Sequence, residues 1–108
     1  LLDARVFSAL PDGATVVNVG RGTVIDEPAL LDALESGKVG FAALDVFAVE
    51  PLPSSSPLWD HPRVLVSPHT AALTRAEEQR IAELFARNAT AILDGIAPKN
   101  VVDTHDFY

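Results

Sequence analysis

The sequence predicts an α/β domain: a parallel sheet with flanking helices, closing in a long C-terminal helix. Three observations carry this. Residues 14–19 and 39–47 are apolar with little polar alternation, the composition of strands covered on both faces. A helix-spaced segment separates them, as parallel neighbours require. Near the C-terminus, Ile81, Leu84, Phe85, Ile92 and Leu93 recur at helical spacing.

Each element has a local cause. Residues 1–10 read as a short helix with Asp3 as N-cap. Pro11-Asp12-Gly13 is a turn, proline presetting φ and glycine accepting a positive φ. Ala14 to Val19 is the first strand, broken by Gly20-Arg21-Gly22. Asp26-Glu27-Pro28 opens a helix with a capping side chain, an acid at the positive end of the dipole and proline in the first turn. Leu30, Leu31 and Leu34 form its inner face, and Gly37 is the expected C′ residue. Val39 to Phe47 is the second strand. Residues 48–62 hold four prolines and three consecutive serines and read as a loop, so the link to the third strand, Arg63 to Ser67, is irregular. Thr74 and Glu77 have the form of a capping box for a helix running to about Asp94. Gly95 and Pro98 end it. In the tail, Val101-Val102 is a candidate for a further short strand or a docking contact.

The bulk numbers exclude several classes. The chain has 108 residues, enough for one small domain, and 48% of them are hydrophobic, a globular composition. A net charge of −7 argues against nucleic acid or an acidic membrane surface as partner. No run has the length of a transmembrane helix, and the first residues lack a signal-peptide pattern. There is no cysteine, which excludes disulfides and thiolate chemistry and fits a cytoplasmic protein. There is no methionine either. The expectation is therefore a fragment, a cleaved product or a chain whose earlier residues are missing.

Ligands of open parallel sheets bind beyond the carboxyl ends of the strands. Past the first strand lie Gly20, Arg21 and Gly22; past the second, Asp45 and then Glu50; past the third, His69. An arginine, two carboxylates and a histidine thus converge by topology, and the convergence is the functional signal. Each residue also has a plainer reading. Arg21, between two glycines, could grip a carboxylate with two parallel bonds or be a solvated loop residue. Asp45, in an apolar run, could serve a ligand or be a structural carboxylate accepting backbone N–H bonds. Glu50, taken alone, is a surface acid. His69 follows Pro68 and suits proton transfer, especially if Glu50 folds back to orient its ring, or it is a satisfied histidine at a strand end. His61 and His105 read as structural or surface residues, and the histidines lack metal-ligand spacing. Gly20-x-Gly22 is not a dinucleotide fingerprint, since the third glycine is missing. No Gly-x-Ser-x-Gly elbow is present.

Taken in order, four blocks are recognisable: Val17-Asn18-Val19-Gly20-Arg21-Gly22, Val24-Ile25-Asp26-Glu27, Ala43-Leu44-Asp45-Val46-Phe47 with Glu50-Pro51, and Ser67-Pro68-His69-Thr70-Ala71. Across nearly its whole length the chain resembles the D-isomer-specific 2-hydroxyacid dehydrogenases, which include phosphoglycerate dehydrogenase and glyoxylate/hydroxypyruvate reductase. The resemblance implies the C-terminal half of a Rossmann-like nucleotide-binding domain over residues 1–97. Residues 98–108 would be a tail returning toward a substrate domain. It implies NAD or NADP as cofactor, a small 2-hydroxy or 2-keto acid as substrate and a homodimer. It further implies that Arg21 binds the substrate carboxylate, that Glu50 pairs with His69, and that His69 exchanges a proton with the substrate oxygen. Val19, Gly20, Asp45, Thr70, Ala71 and Ala72, together with Arg21 and His69, would line the cofactor.

Two departures stand out. Ala72 occupies a place where many relatives have glycine. The family's Gly-x-Gly-x-x-Gly turn, its NAD/NADP-selecting residue and most of its substrate domain have no counterpart in the sequence, so the isolated chain is expected to be inactive. The alternative within the resemblance is a nucleotide-responsive interaction module of the C-terminal-binding-protein corepressor type, which can keep the same Arg/Glu/His set.

Overall fold

The computed structural model describes residues 1–103 and 105. The chain divides into two compact units, Leu1–Ala72 and Leu73–Tyr108. The first holds α1 (Ala4–Ala9), β1 (Ala14–Asn18), α2 (Glu27–Glu35), β2 (Val39–Leu44) and β3 (Val64–Val66), with one 3₁₀ turn at Gly22–Val24. The second holds α3 (Glu77–Leu93).

The three strands form one parallel sheet in the order β1-β2-β3. Its register decides where the site lies. Asn18 sits opposite Leu44, and Leu44 opposite Val66. The three strands therefore end level, and the residues that follow leave from one edge. Each strand is shorter than its apolar run. Val19, Asp45 to Phe47 and Ser67 are exit segments; the N–H groups of Asp45 and Ser67 bond to the strand-end carbonyls of Asn18 and Leu44, and the Phe47 N–H turns to the Glu50 carboxylate.

The helices of the first unit are capped as their sequences require. The Asp3 carboxylate accepts from the N–H groups of Arg5 and Val6, and Asp26 accepts from Ala29. Gly37 ends α2 at φ 78°, its N–H donating to the Leu34 carbonyl. The Arg63 guanidinium donates to the same carbonyl. Leu30, Ala33 and Leu34 of α2 are buried with Phe7 of α1 and with Val16, Val39, Ala42 and Leu44 of the sheet. The irregular loop between β2 and β3 contributes Leu52 and Leu58 to this core, which fastens a segment that composition alone describes only as proline-rich.

Two expectations are corrected. The sheet is not covered on both faces: Val17 is 63% exposed and Leu65 56%, with Phe41 exposed beside them. Burial alternates along β1 because α1 and α2 supply core to one face only. The capping box also does not form. The N-cap of α3 is Ala76, with no side-chain hydrogen bond, and the Glu77 N–H donates to the backbone carbonyl of Thr74. The helix starts too late for the Thr74 hydroxyl to occupy the capping position.

Within the second unit, α3 has the predicted helical spacing. Ile81, Phe85, Ile92 and Leu93 are exposed, and no residue of the helix is buried. Gly95, at φ 71°, turns the chain, and Asn88 clamps Lys99 through both its N–H and its carbonyl. Val101 and Val102 are exposed and outside any strand. The rest of the tail reading, at residues 104 and 106–108, lies outside the described residues.

Leu34 is fully buried where α2 meets the sheet. Leu34→Ala is expected to destabilise the first unit by about 2–5 kcal/mol, measured by urea denaturation. A cost below about 1 kcal/mol would show that α2 does not hold the core.

Candidate functional site

The end of β1 is organised by a buried asparagine. Asn18 donates through Nδ2 to the Arg21 carbonyl (3.0 Å) and accepts at Oδ1 from the Gly20 N–H (3.1 Å). One side chain thus clamps both arms of the Gly20–Arg21 turn. Gly22 then passes directly under the exit of β2. A Cβ on Gly22 would lie 1.8 Å from the Phe47 carbonyl carbon and 2.0 Å from its oxygen, so only glycine allows this approach. The Arg21 guanidinium donates to the Gly20 carbonyl at 2.8 Å.

Past β2, Asp45 is buried, at 4% exposure. Its carboxylate accepts from the Ser67 hydroxyl and from the N–H groups of Thr70 (2.9 Å) and Ala71 (2.8 Å). These bonds, led by the Ser67 hydroxyl and then by Thr70, hold its pKa below the ordinary aspartate value against the opposing effect of desolvation. Glu50 folds back on its own loop, Oε1 accepting from the Phe47 N–H at 2.9 Å. Its other oxygen, Oε2, lies 2.9 Å from His69 Nδ1. The His69 bond first, and the Phe47 N–H second, lower the Glu50 pKa.

His69 follows Pro68 at the end of β3, with its backbone in the left-handed region at φ 55°. Its N–H donates to the Asp45 carbonyl at 2.8 Å. An ionised carboxylate only accepts, so the Glu50 contact assigns a proton to Nδ1. Nε2 is left as the nitrogen that can exchange a proton, and the side chain is half exposed. Beside the pair is a cleft of about 450 Å³ lined by Phe47, Leu52, Trp59 and Val66 together with Asp45, Glu50 and His69. Trp59 is fixed by donation from Nε1 to the Pro53 carbonyl.

The structure thus brings Glu50, His69 and Asp45 into one bonded group, with Thr70 and Ala71 in the same turn. Arg21, Val19 and Gly20 leave the same sheet edge from β1. Among the described residues Arg21 makes no hydrogen bond to either carboxylate or to the histidine, and it does not line the cleft. Among the described residues no hydrogen bond of Ala72 belongs to the turn. Sequence reasoning missed Asn18, Ser67 and Trp59. Asn18 had a usable signal, as a buried amide at the end of an otherwise apolar strand. Trp59 had none, because its place depends on how the loop folds.

A parallel α/β sheet with a carboxylate-bonded histidine at its carboxyl edge defines the class, and comparison with known proteins narrows it. Residues 1–71 match the family model described as D-isomer specific 2-hydroxyacid dehydrogenase, NAD binding domain. The chain belongs to that family. It is 53% identical over 78 residues to glyoxylate/hydroxypyruvate reductase A of Salmonella newport, covering 72% of this chain and 25% of that protein. All of the chain superposes on 44% of a D-isomer specific 2-hydroxyacid dehydrogenase from Xanthobacter autotrophicus Py2, solved with NADPH and MES, at TM-score 0.88 and 44% identity. Likewise 99% of the chain superposes on 35% of an NADPH-dependent glyoxylate/hydroxypyruvate reductase from Sinorhizobium meliloti, solved with NADP and sulfate, at TM-score 0.87 and 36% identity. The chain therefore spans about a quarter of the curated relative and less than half of each of these solved chains.

Two predictions follow from the geometry. Gly22→Ala should destabilise the first unit by about 1–3 kcal/mol through overpacking against the Phe47 carbonyl, read as a shift in urea midpoint; an unchanged midpoint would show that the approach is not tight. The second concerns pH. Glu50 and Asp45 have folded pKa values below their unfolded ones. Below neutrality the unfolded chain binds protons first, so the stability these groups contribute is complete at neutral pH and is lost as pH falls through the folded values. The melting temperature is expected to be flat from about pH 6 to 8 and to drop below about pH 5, with Glu50→Gln removing part of that drop. A Glu50→Gln profile parallel to the wild type would contradict the lowered Glu50 pKa.

Proposed function

We propose that this chain serves, within a longer protein, as the catalytic part of an NAD(P)-dependent oxidoreductase acting on a small D-2-hydroxy acid or the matching 2-keto acid. The observation that carries the reading is the 2.9 Å contact between Glu50 and His69 Nδ1 at the carboxyl edge of a parallel sheet. Glyoxylate and hydroxypyruvate are the first substrates to test, from the names of the relatives. Family resemblance extends the proposal to a cytoplasmic homodimer, and the division at 97/98 into nucleotide-binding part and tail belongs to the same reading. Among the described residues no helix is long and apolar enough to cross a membrane.

The residues present suit the reacting end of a nicotinamide nucleotide. The histidine at this sheet edge has one ring nitrogen already committed to Glu50, and apolar side chains adjoin it. No Gly-x-Gly-x-x-Gly turn stands in the sequence to hold a pyrophosphate. Val19, Gly20, Thr70, Ala71 and Ala72 are proposed to line the reacting end. When bound, the cofactor supplies the hydride in reduction and accepts it in oxidation.

The rest of the chemistry belongs to the chain. Reduction of a 2-keto acid builds negative charge on the carbonyl oxygen. His69 Nε2 donates a proton to that oxygen, and in the reverse direction withdraws it from the hydroxyl. Glu50 fixes the tautomer and the plane of the ring, so that the proton is exchanged at Nε2 and not at Nδ1. Arg21 holds the substrate carboxylate once its guanidinium exchanges the Gly20 carbonyl for the stronger anionic partner.

The test is a panel of 2-keto acids assayed with NADH and NADPH on the intact protein carrying this sequence. Turnover of small 2-keto acids is expected, and no turnover with any of them would overturn the reading. His69→Asn, chosen because asparagine tolerates the left-handed backbone, should lower kcat by roughly 10²–10⁴-fold with little change in cofactor affinity. An undiminished rate would remove His69 from proton transfer. Residues 1–108 alone are expected to show no measurable turnover in the same assay.

A further inference from the structure

Family resemblance places Asp45 against the cofactor, yet its oxygens are already engaged. Oδ1 accepts from the Ser67 hydroxyl and from the Thr70 N–H at 2.9 Å, and Oδ2 accepts from the Ala71 N–H at 2.8 Å. Its backbone carbonyl accepts from the His69 N–H at 2.8 Å, and its own N–H donates to the Asn18 carbonyl at 2.9 Å. Ser67 donates its N–H to the Leu44 carbonyl, and Pro68 has none to give. Every backbone N–H from residue 67 to residue 71 therefore ends on Leu44 or Asp45. The hydroxyls of Ser67 and Thr70 lie 3.2 Å apart and close the same ring of contacts.

We propose that Asp45 is a positioning residue: its carboxylate folds the Ser67–Ala71 turn around itself, and its carbonyl pins His69 in the left-handed backbone conformation that sets the imidazole against Glu50. The role in turnover rests on the functional reading above; the role in folding the turn does not. A histidine at φ 55° occupies a sparsely populated region and persists only where its surroundings impose it. Here the imposing groups come from Asp45 on both sides of that residue. A carboxylate is the group this turn needs. It offers two acceptor oxygens to donors that converge from three residues, and burial makes an unmet donor costly. An amide of the same shape would meet Thr70 or Ala71 with a donor facing a donor. Asp45 thus acts through His69, with both carboxylate oxygens bonded within the turn.

The test combines two readouts. Amide exchange and histidine-ring shifts are followed by NMR in residues 1–108, for wild type, Asp45→Asn, Ser67→Ala and Ser67→Thr, with the β2 amides as a control for folding. Steady-state kinetics are measured on the intact protein with the same substitutions. In Asp45→Asn, exchange protection at Thr70 or Ala71 is expected to fall about tenfold or more while β2 stays protected, and the His69 ring resonances to shift. In the intact protein kcat is expected to fall roughly 10–100-fold with the KM for cofactor within about threefold of wild type. Ser67→Ala should show a smaller loss of kcat, restored by Ser67→Thr, which keeps the hydroxyl.

Unchanged protection and unchanged ring shifts in Asp45→Asn would overturn the proposal. So would a rise of about tenfold or more in cofactor KM at constant kcat, the signature of a carboxylate that binds cofactor directly. If Asp45→Asn fails to fold, the Ser67 pair decides, and a kcat equal to wild type in Ser67→Ala counts against the proposal. An intact wild-type protein inactive on every 2-keto acid would sink the functional reading alone. The exchange data would still decide whether Asp45 holds the turn.

Discussion

The arrangement depends on the register of three parallel strands. Asn18, Leu44 and Val66 lie in one row across the sheet. Because the row is level, the backbone leaving β2 and β3 bonds to the end of the neighbouring strand. The Asp45 N–H reaches the Asn18 carbonyl, and the Ser67 N–H reaches the Leu44 carbonyl. Shift β3 by one residue and Ser67 would exchange faces with its neighbour, since side chains alternate along a strand. The hydroxyl that Asp45 accepts from would then be lost, along with the turn that carries His69.

From that row two kinds of side chain take over. Buried polar groups with fully engaged atoms, Asn18 and Asp45, shape the backbone of the loops. Half-exposed groups, Glu50 and His69, bond to each other: Glu50 uses one oxygen for the Phe47 N–H and the other for His69 Nδ1, which leaves His69 Nε2 facing outward. Gly22 links the two sides of the site by letting the Arg21 loop pass against the Phe47 carbonyl, next to the N–H that holds Glu50. A change at any of these positions is transmitted through backbone contacts of fixed length, which are stiff in a close-packed interior.

The fold was legible because its signals are local. Asp3, Asp26, Gly37 and Gly95 each act within a few residues, and each has the role its sequence context predicts. The pairing of Glu50 with His69 was legible from topology and from the family blocks together, not from either residue alone. Other features escaped for identifiable reasons. An apolar strand looks the same whether or not a second layer covers it, so the exposure of Val17 and Leu65 could not be read from β1 and β3. The capping box at Thr74 failed because the helix begins after Ala76, a difference of a few residues that composition does not resolve. For Asp45, the apolar run marked a carboxylate that needs partners, but those partners sit on the next strand exit, 22 to 26 positions along the chain.

The central claim is that an imidazole fixed by Glu50 exchanges its proton with substrate through Nε2. The most direct measurement is a crystal structure of the intact protein with reduced nicotinamide cofactor and oxamate, an unreactive mimic of a 2-keto acid. The account predicts Nε2 of His69 within about 3.2 Å of the oxamate carbonyl oxygen, with Nδ1 still on Glu50 and the Arg21 guanidinium on the carboxylate. Oxamate bound with Nε2 more than about 4 Å from that oxygen, and another side chain in its place, would contradict it.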